Sequence, residues 1–280
     1  MLIPVLDDDK HYWVGDEEIE KLFRHGQGWL DVHPYKEQIT KRYLKRQGTL
    51  TRKALAQLTI EDNQDNELIQ AQEEAAIEKP LSLNQQRLEK VAETLQVHNV
   101  KRVIDLGCGE GKLIKYLLKN KSIQEITGVD VSYRELEIAK KRLKLDNLPF
   151  HQQNKIKLIQ GSLTYRDRRF QGYDAAILIE VVEHLDLNRL ASLERVLFEF
   201  AQPKLIVVTT PNIEYNVRFK SLPAGKLRHR DHRFEWTRQE FQDWANQVAE
   251  RFSYQVKFQG IGEQDIEVGT PTQMAIFTNQ

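Results

Sequence analysis

Between residues 101 and 130 the chain reads strand, glycine-rich turn, helix, strand, acid, and that order leaves few folds open. Val103-Ile104-Asp105-Leu106 has strand character and runs into Gly107-Cys108-Gly109-Glu110-Gly111. Leu113, Tyr116, Leu117 and Leu118 then recur at helical spacing, and Glu125-Ile126-Thr127-Gly128-Val129-Asp130 forms a second strand. Glycines allow a tight turn and let a ligand approach the backbone. An acid about 20 residues past the first glycine is placed to bind both hydroxyls of a ribose. The order therefore predicts a nucleoside cofactor. A dinucleotide fingerprint needs Gly-x-Gly-x-x-Gly, whereas the spacing here is Gly-x-Gly-x-Gly.

Later apolar runs extend a Rossmann-like sheet. Residues 156–163 read as a third strand, Ala175-Ala176-Ile177-Leu178-Ile179 as a buried one, and residues 204–212 as a parallel strand covered on both faces. Residues 254–258 and 274–277 are expected to pair at one edge. Hydrophobic residues make up 40% of 280, enough for one large domain or a domain with an appendage. No apolar run reaches about 18 residues, so no membrane span is expected. The N-terminus lacks the basic flank of a signal peptide. With Cys108 as the one cysteine there is no internal disulfide, which fits the cytoplasm. Small size is the expected reason for Cys108 in the turn, with a nucleophilic role as the alternative.

The first 79 residues are expected to form a mainly helical appendage with an acidic linker, and residues 80–280 the main domain. Helices are predicted near 16–23, 35–46 and 50–58. His11, His25 and His33 are scattered without ligand spacing. Residues 61–79 are polar and acidic, and Ser82-Leu83-Asn84-Gln85 has capping-box spacing ahead of Leu88, Val91, Ala92 and Leu95.

Glu180-Val181-Val182-Glu183-His184 follows the buried strand. As a helical turn it would put Glu180, Glu183 and His184 on one face, where two carboxylates and an imidazole suit a divalent metal lacking one ligand. A plain glutamate-rich helix start is the alternative. Downstream, Thr237-Arg238-Gln239-Glu240 is a second capping box, and Phe241, Trp244, Ala245 and Val248 give its helix an apolar face. His232 lies in the loop before it, and loops after parallel strands gather at the carboxyl edge of the sheet.

Asp105-Leu106-Gly107-Cys108-Gly109-Glu110-Gly111 resembles the first motif of class I S-adenosylmethionine-dependent methyltransferases. The resemblance implies that Asp105 and the Gly107–Gly109 turn hold the methionine part, that Asp130 holds the ribose, and that Ser162 and Leu163 flank the adenine. Family members often carry an acid at the adenine position, so Ser162 and Leu163 depart from the pattern. It further implies a sheet closed by one antiparallel strand. Asp231-His232-Arg233-Phe234-Glu235-Trp236-Thr237-Arg238, together with Thr210-Pro211-Asn212-Ile213-Glu214-Tyr215-Asn216 and Glu180–His184, is similar to the small-RNA 3′-terminal 2′-O-methyltransferase family. Leu6-Asp7-Asp8-Asp9-Lys10-His11-Tyr12-Trp13-Val14 resembles its bacterial branch, which works in RNA repair beside a polynucleotide kinase–phosphatase–ligase. Bacterial members usually carry a further ligase-activating N-terminal domain. No room is seen for it here, so the chain resembles the carboxyl-terminal half of such a protein.

On that resemblance the metal ligands fall on Glu180, Glu183, His184 and His232, with His229 the competitor for the last place. Two imidazoles among four ligands favour Mn²⁺ over Mg²⁺, which prefers oxygen. The substrate implied is an RNA 3′ end. Net charge is zero, with 41 residues of each sign, so an RNA surface has to be local. Residues 218–238 hold seven basic residues, Arg218, Lys220, Lys226, Arg228, Arg230, Arg233 and Arg238, against Asp231 and Glu235, a local charge of +5. Such residues position phosphates without reading sequence. The runner-up functions are an O-methyltransferase of a small hydroxylated metabolite and a non-catalytic interaction scaffold of an RNA-repair complex.

Overall fold

The computed structural model describes residues 82–223 and 225–279, together with 22, 24–27, 30, 33 and 35–43. The chain divides into two compact units, Met1–Leu68 and Ile69–Gln280. In the first, helix α1 (Lys36–Tyr43) lies within the 35–46 expected, of which 44–46 fall outside the described residues, and Leu22, Leu30, Thr40 and Tyr43 are buried. The helices expected near 16–23, apart from Leu22, and near 50–58, and the acidic linker at 61–79, lie outside the described residues.

The second unit is a seven-stranded sheet in the order β3-β2-β1-β4-β5-β7-β6. The strands are β1 (Arg102–Leu106), β2 (Glu125–Asp130), β3 (Ile156–Gln160), β4 (Ala175–Ile179), β5 (Leu205–Pro211), β6 (Gln255–Ile261) and β7 (Thr272–Thr278). The first five are parallel, and β7 runs antiparallel between β5 and β6, as the expected edge pairing requires. Helices α2 (Leu83–Val97), α3 (Lys112–Leu117) and α4 (Tyr133–Leu143) cover one face, and α5 (Leu187–Glu194) and α6 (Arg238–Phe252) the other. Alternate residues of the central strands feed the two cores. Val103, Ala175, Ile177, Leu205 and Val207 join one cluster, and Ile104, Leu106, Ala176, Leu178, Ile206 and Val208 the other. A sheet covered on both faces needs such unbroken apolar runs.

The α6 start carries the expected box. The Thr237 hydroxyl accepts the Glu240 N–H, and the Glu240 carboxylate accepts the Thr237 N–H at 2.8 Å. Phe241, Ala245 and Val248 are buried, and the Trp244 indole N–H is donated to Glu194 at 2.9 Å. At α2 the expected box does not form. Ser82 stands at φ 45° and its side chain caps no backbone N–H.

Strand order reverses between β1 and β4, and in open α/β sheets ligands bind outside the carboxyl ends of the strands at such a point. Gly107 follows β1 at φ +82°, and a Cβ there would lie 2.6 Å from Val181 Cγ2, just past β4. Gly107→Ala should therefore lose stability twice over, with overpacking alone costing about 1–3 kcal/mol. Gly225→Ala, at φ +75° with nothing within 4 Å, should suffer only the left-handed backbone penalty. Urea unfolding of both variants checks this; equal losses would mean the Val181 contact contributes nothing.

Candidate active site

Asp105, near the end of β1, is 3% exposed. Burial, and then the charge of Asp130, push its carboxyl up to about 7. Asp130 closes β2, its Oδ2 accepting the Gly109 N–H at 2.9 Å and its Oδ1 the Ser132 N–H at 2.8 Å. The two acids thus flank the turn from neighbouring strands. Cys108 packs its sulfur where a Gly128 Cβ would come within 2.9 Å, and burial, Asp105 and Asp130 push its thiol far up, which disfavours the thiolate. Ser162 and Leu163 follow β3, the Ser162 hydroxyl bonding Thr164 at 3.0 Å and Leu163 packing on the core.

The segment 180–184 is not the helical turn expected. Glu180 stands in the left-handed region at φ 53°, and a single 3₁₀ turn, Val182–His184, follows. The reversal lets Val181 reach Gly107 while β5 takes hold of the carboxylates. Thr209 Oγ1 donates to Glu180 Oε1 at 2.9 Å, and Thr210 Oγ1 donates to Glu183 Oε2 at 3.1 Å. Arg87, on α2 and 2% exposed, sets its guanidinium 2.9 Å from Glu180 Oε2. Glu183 is fully buried, and its carbonyl accepts the Arg233 N–H at 2.7 Å, which ties the His232 loop to this corner.

His232 is 5% exposed, and its Nδ1 lies 2.6 Å from Glu235 Oε1. Glu235 also accepts the Arg228 N–H at 2.7 Å and the Asn216 amide at 2.6 Å. Burial works to raise the Glu235 carboxyl, but His232, the Arg228 N–H and Asn216 outweigh it and hold the group low, as a carboxylate. A carboxylate only accepts, so a neutral His232 carries its proton on Nδ1. Its Nε2 is left as a bare lone pair, buried and without a hydrogen-bond partner. That is the state of a metal-ligating imidazole oriented by a carboxylate. His184 lies edge-on to His232, ring centroids 4.8 Å apart. Loss of hydration at the ring, then His232 and His229, hold its pKa down at about 3, so the ring is neutral even though the residue as a whole is exposed.

Among the described residues, the potential ligand atoms lying within 4.8 Å of one another are those of His184, His229 and His232. The structure thus joins His184 to His232 as expected and brings His229 beside them. The Glu180 and Glu183 carboxylates stand at the same sheet edge, outside that tight cluster, each turned to its threonine. Neutral imidazole nitrogens with carboxylates alongside fit a divalent first-row metal. No sequence pattern pointed to Thr209 or Arg87, and Thr210 and Asn216 stood in a motif of the resemblance without a role assigned to either. Glu235 stood in the motif of the resemblance and in the charge count of the basic segment, with no role toward His232 assigned to it.

The sheet order, the glycine turn and the acid ending β2 define the class I S-adenosylmethionine-dependent methyltransferase fold. Residues 104–202 match the methyltransferase domain family. The crystal structure of the methyltransferase domain of bacterial CtHen1 is 58% identical, covers 70% of this chain and 100% of its own, and superposes with a TM-score of 0.66. The chain belongs to the Hen1 family. The small RNA 2′-O-methyltransferase of Rattus norvegicus is 39% identical over 202 residues, covering 70% of this chain and 50% of that protein. The chain spans about half the length of the first curated animal relatives it matches. A structure of the Pnkp1/Rnl/Hen1 RNA repair complex has the same fold at 19% identity, with a TM-score of 0.53 over 89% of this chain and 56% of its own. Residues 1–59 match the RNA repair, ligase-Pnkp-associating region of Hen1.

The basic segment also needs correction. Arg228 is 2% exposed, bonded through its guanidinium to Asn216 Oδ1 at 2.7 Å and to the carbonyls of Asn212 and Pro271, and laid over the Phe219 ring. It holds the His232 loop together from inside the fold and is not part of an exposed basic surface. Arg218 pairs with Asp265 and Glu267, and Arg238 with Glu214. Arg228→Ala should cost about 1–3 kcal/mol by leaving the buried Asn216 oxygen without its donor. Arg230→Ala, on the surface, should cost about 0.5 kcal/mol or less. Thermal unfolding distinguishes the two, and a mild Arg228→Ala would overturn the structural role.

Proposed function

We propose that this chain transfers the methyl group of S-adenosylmethionine to the 2′-hydroxyl of the 3′-terminal nucleotide of RNA. In this reading it acts in cytoplasmic RNA repair beside a polynucleotide kinase–phosphatase–ligase. Residues 1–79 dock the partner and residues 80–280 carry the chemistry. The observation that carries the reading is the bare, buried Nε2 of His232, its proton placed elsewhere by Glu235, next to a neutral His184 and one strand from the cofactor turn. Support comes from the bacterial Hen1 methyltransferase domain, from relatives named small RNA 2′-O-methyltransferase, and, for the partner, from the ligase-Pnkp-associating match.

Glu180, Glu183, His184 and His232 would hold the divalent metal, and their two imidazoles favour Mn²⁺ over Mg²⁺. When bound, such a metal lowers the pKa of a ligand oxygen and orients it, which a weakly nucleophilic ribose hydroxyl requires. Thr209, Thr210 and Glu235 keep the ligands in place. Asp105 and the Gly107–Gly109 turn bind the methionine part, Asp130 the ribose, and Ser162 with Leu163 the adenine. Catalysis then rests on positioning two bound reactants.

RNA ending in a 2′-deoxy nucleotide should be inert, and RNA ending in a 3′-phosphate should react far more slowly than its 3′-hydroxyl counterpart. His232→Ala should nearly abolish methyl transfer while cofactor affinity survives. Equal rates on the two 3′ ends, or full activity after chelation, would sink the reading.

A second test uses Asp105. Its carboxyl titrates near 7 in the free protein, and the ionised form is the one that would hold a cationic methionine amine. Cofactor affinity should thus rise several-fold between about pH 6 and about pH 7.5, and Asp105→Asn should flatten the profile. Calorimetry across that range measures it; a flat wild-type profile would remove Asp105 from the cofactor site.

A further inference from the structure

His229 sits as close to the candidate centre as the two imidazoles assigned to it. Its ring centroid is 5.6 Å from His184 and 5.4 Å from His232. By proximity alone all three histidines are equivalent ligands. Their hydrogen bonds make them different. His232 Nδ1 faces a carboxylate, which accepts, so the ring holds its proton there and frees Nε2. His229 Nδ1 lies 3.1 Å from the backbone nitrogen of Asp231. A backbone amide only donates, so Nδ1 must spend its lone pair on it. A neutral His229 then carries its proton on Nε2. It has no lone pair left for a metal unless the Asp231 bond breaks and the ring changes tautomer.

From this we infer that His229 is a hydrogen-bond donor to the substrate and not a metal ligand: its Nε2–H binds an acceptor oxygen of the terminal ribose of the RNA. The Asp231 amide sets this role as firmly as Glu235 sets the opposite one in His232, three residues along the same loop. A ring beside His184 and His232 puts its N–H within reach of an oxygen presented to that centre. Asparagine and glutamine side chains also offer an N–H there, and alanine offers none. The inference rests on the RNA 3′-terminal reading above and adds to it which residue grips the sugar.

The experiment has two arms. Mn²⁺ binding to the full chain without RNA, followed by calorimetry and by the paramagnetic resonance of free Mn²⁺, reads the ligand set alone. His229→Ala should stay within about threefold of wild type, whereas His232→Ala should lose tenfold or more. Steady-state methyl transfer to 3′-hydroxyl RNA reads the donor. His229→Ala should raise KM for RNA about tenfold, the loss of one hydrogen bond to a ligand, with a smaller change in kcat. His229→Asn or His229→Gln should restore most of it, which a merely structural defect would not allow. Loss of Mn²⁺ affinity in His229→Ala and His229→Gln alike would make His229 a ligand and overturn the inference. So would an unchanged KM in the alanine variant. If wild type itself fails to methylate RNA while still binding Mn²⁺ and cofactor, the functional reading fails first and takes this inference with it.

Discussion

Gly107 and Val181 touch where β1 and β4 part, and both halves of the site are hung from that contact. With no Cβ at 107 the loop after β4 can close on the glycine turn, setting the cofactor turn and the 180–184 segment side by side. The chain reverses at once to achieve this, which is why Glu180 stands at φ 53°. A non-glycine residue held there costs about 1–3 kcal/mol and persists only where its surroundings over-determine it. Here the surroundings are the Thr209 hydroxyl and carbonyl and the Arg87 guanidinium, three grips on one residue.

A second constraint is the buried carboxylate of Glu235. Burial of an ion is costly unless its hydrogen bonds are met, and Glu235 meets them with His232, the Arg228 N–H and Asn216. Arg228 in turn spends its guanidinium on Asn216 and two carbonyls. The fold thus uses an arginine and a glutamate that look, in one dimension, like surface charges to hold one imidazole ring. The cations left facing solvent include Arg233, whose distance of 3.8 Å to Asp186 leaves it weakly engaged. The positive field at the mouth is consequently smaller than the segment's composition implies.

What the sequence made legible follows from range. The parallel strands, the α6 capping box and the glycine turn are written in periodicity and short spacing, and they stand where expected. Ser82 had the spacing of a capping box but a left-handed backbone, so its side chain caps no backbone N–H of the helix. The 180–184 segment had helical spacing, yet the close approach of Val181 to Gly107, 74 residues upstream, overrides it. The grip of Thr209 and Thr210 crosses 29 and 27 residues, and that of Arg87 crosses 93. Nothing local marks such partners. Charge counting placed Arg228 on the surface because burial is a property of the folded loop, not of the residue.

The four imidazole nitrogens of His229 and His232 show why residue identity underdetermines a site. Both residues are histidines in one loop, and composition cannot separate them. A carboxylate at one Nδ1 and a backbone amide at the other turn identical rings into opposite partners, one presenting a lone pair and one a proton. Metal binding to imidazole requires the neutral ring with its lone pair already exposed, so the fold bears that cost before any ligand arrives. The same holds for His184, whose neutrality comes first from loss of hydration at the ring and then from the two rings beside it. Preorganisation of this kind is built from hydrogen-bond direction, and it is settled when the loop closes over Glu235.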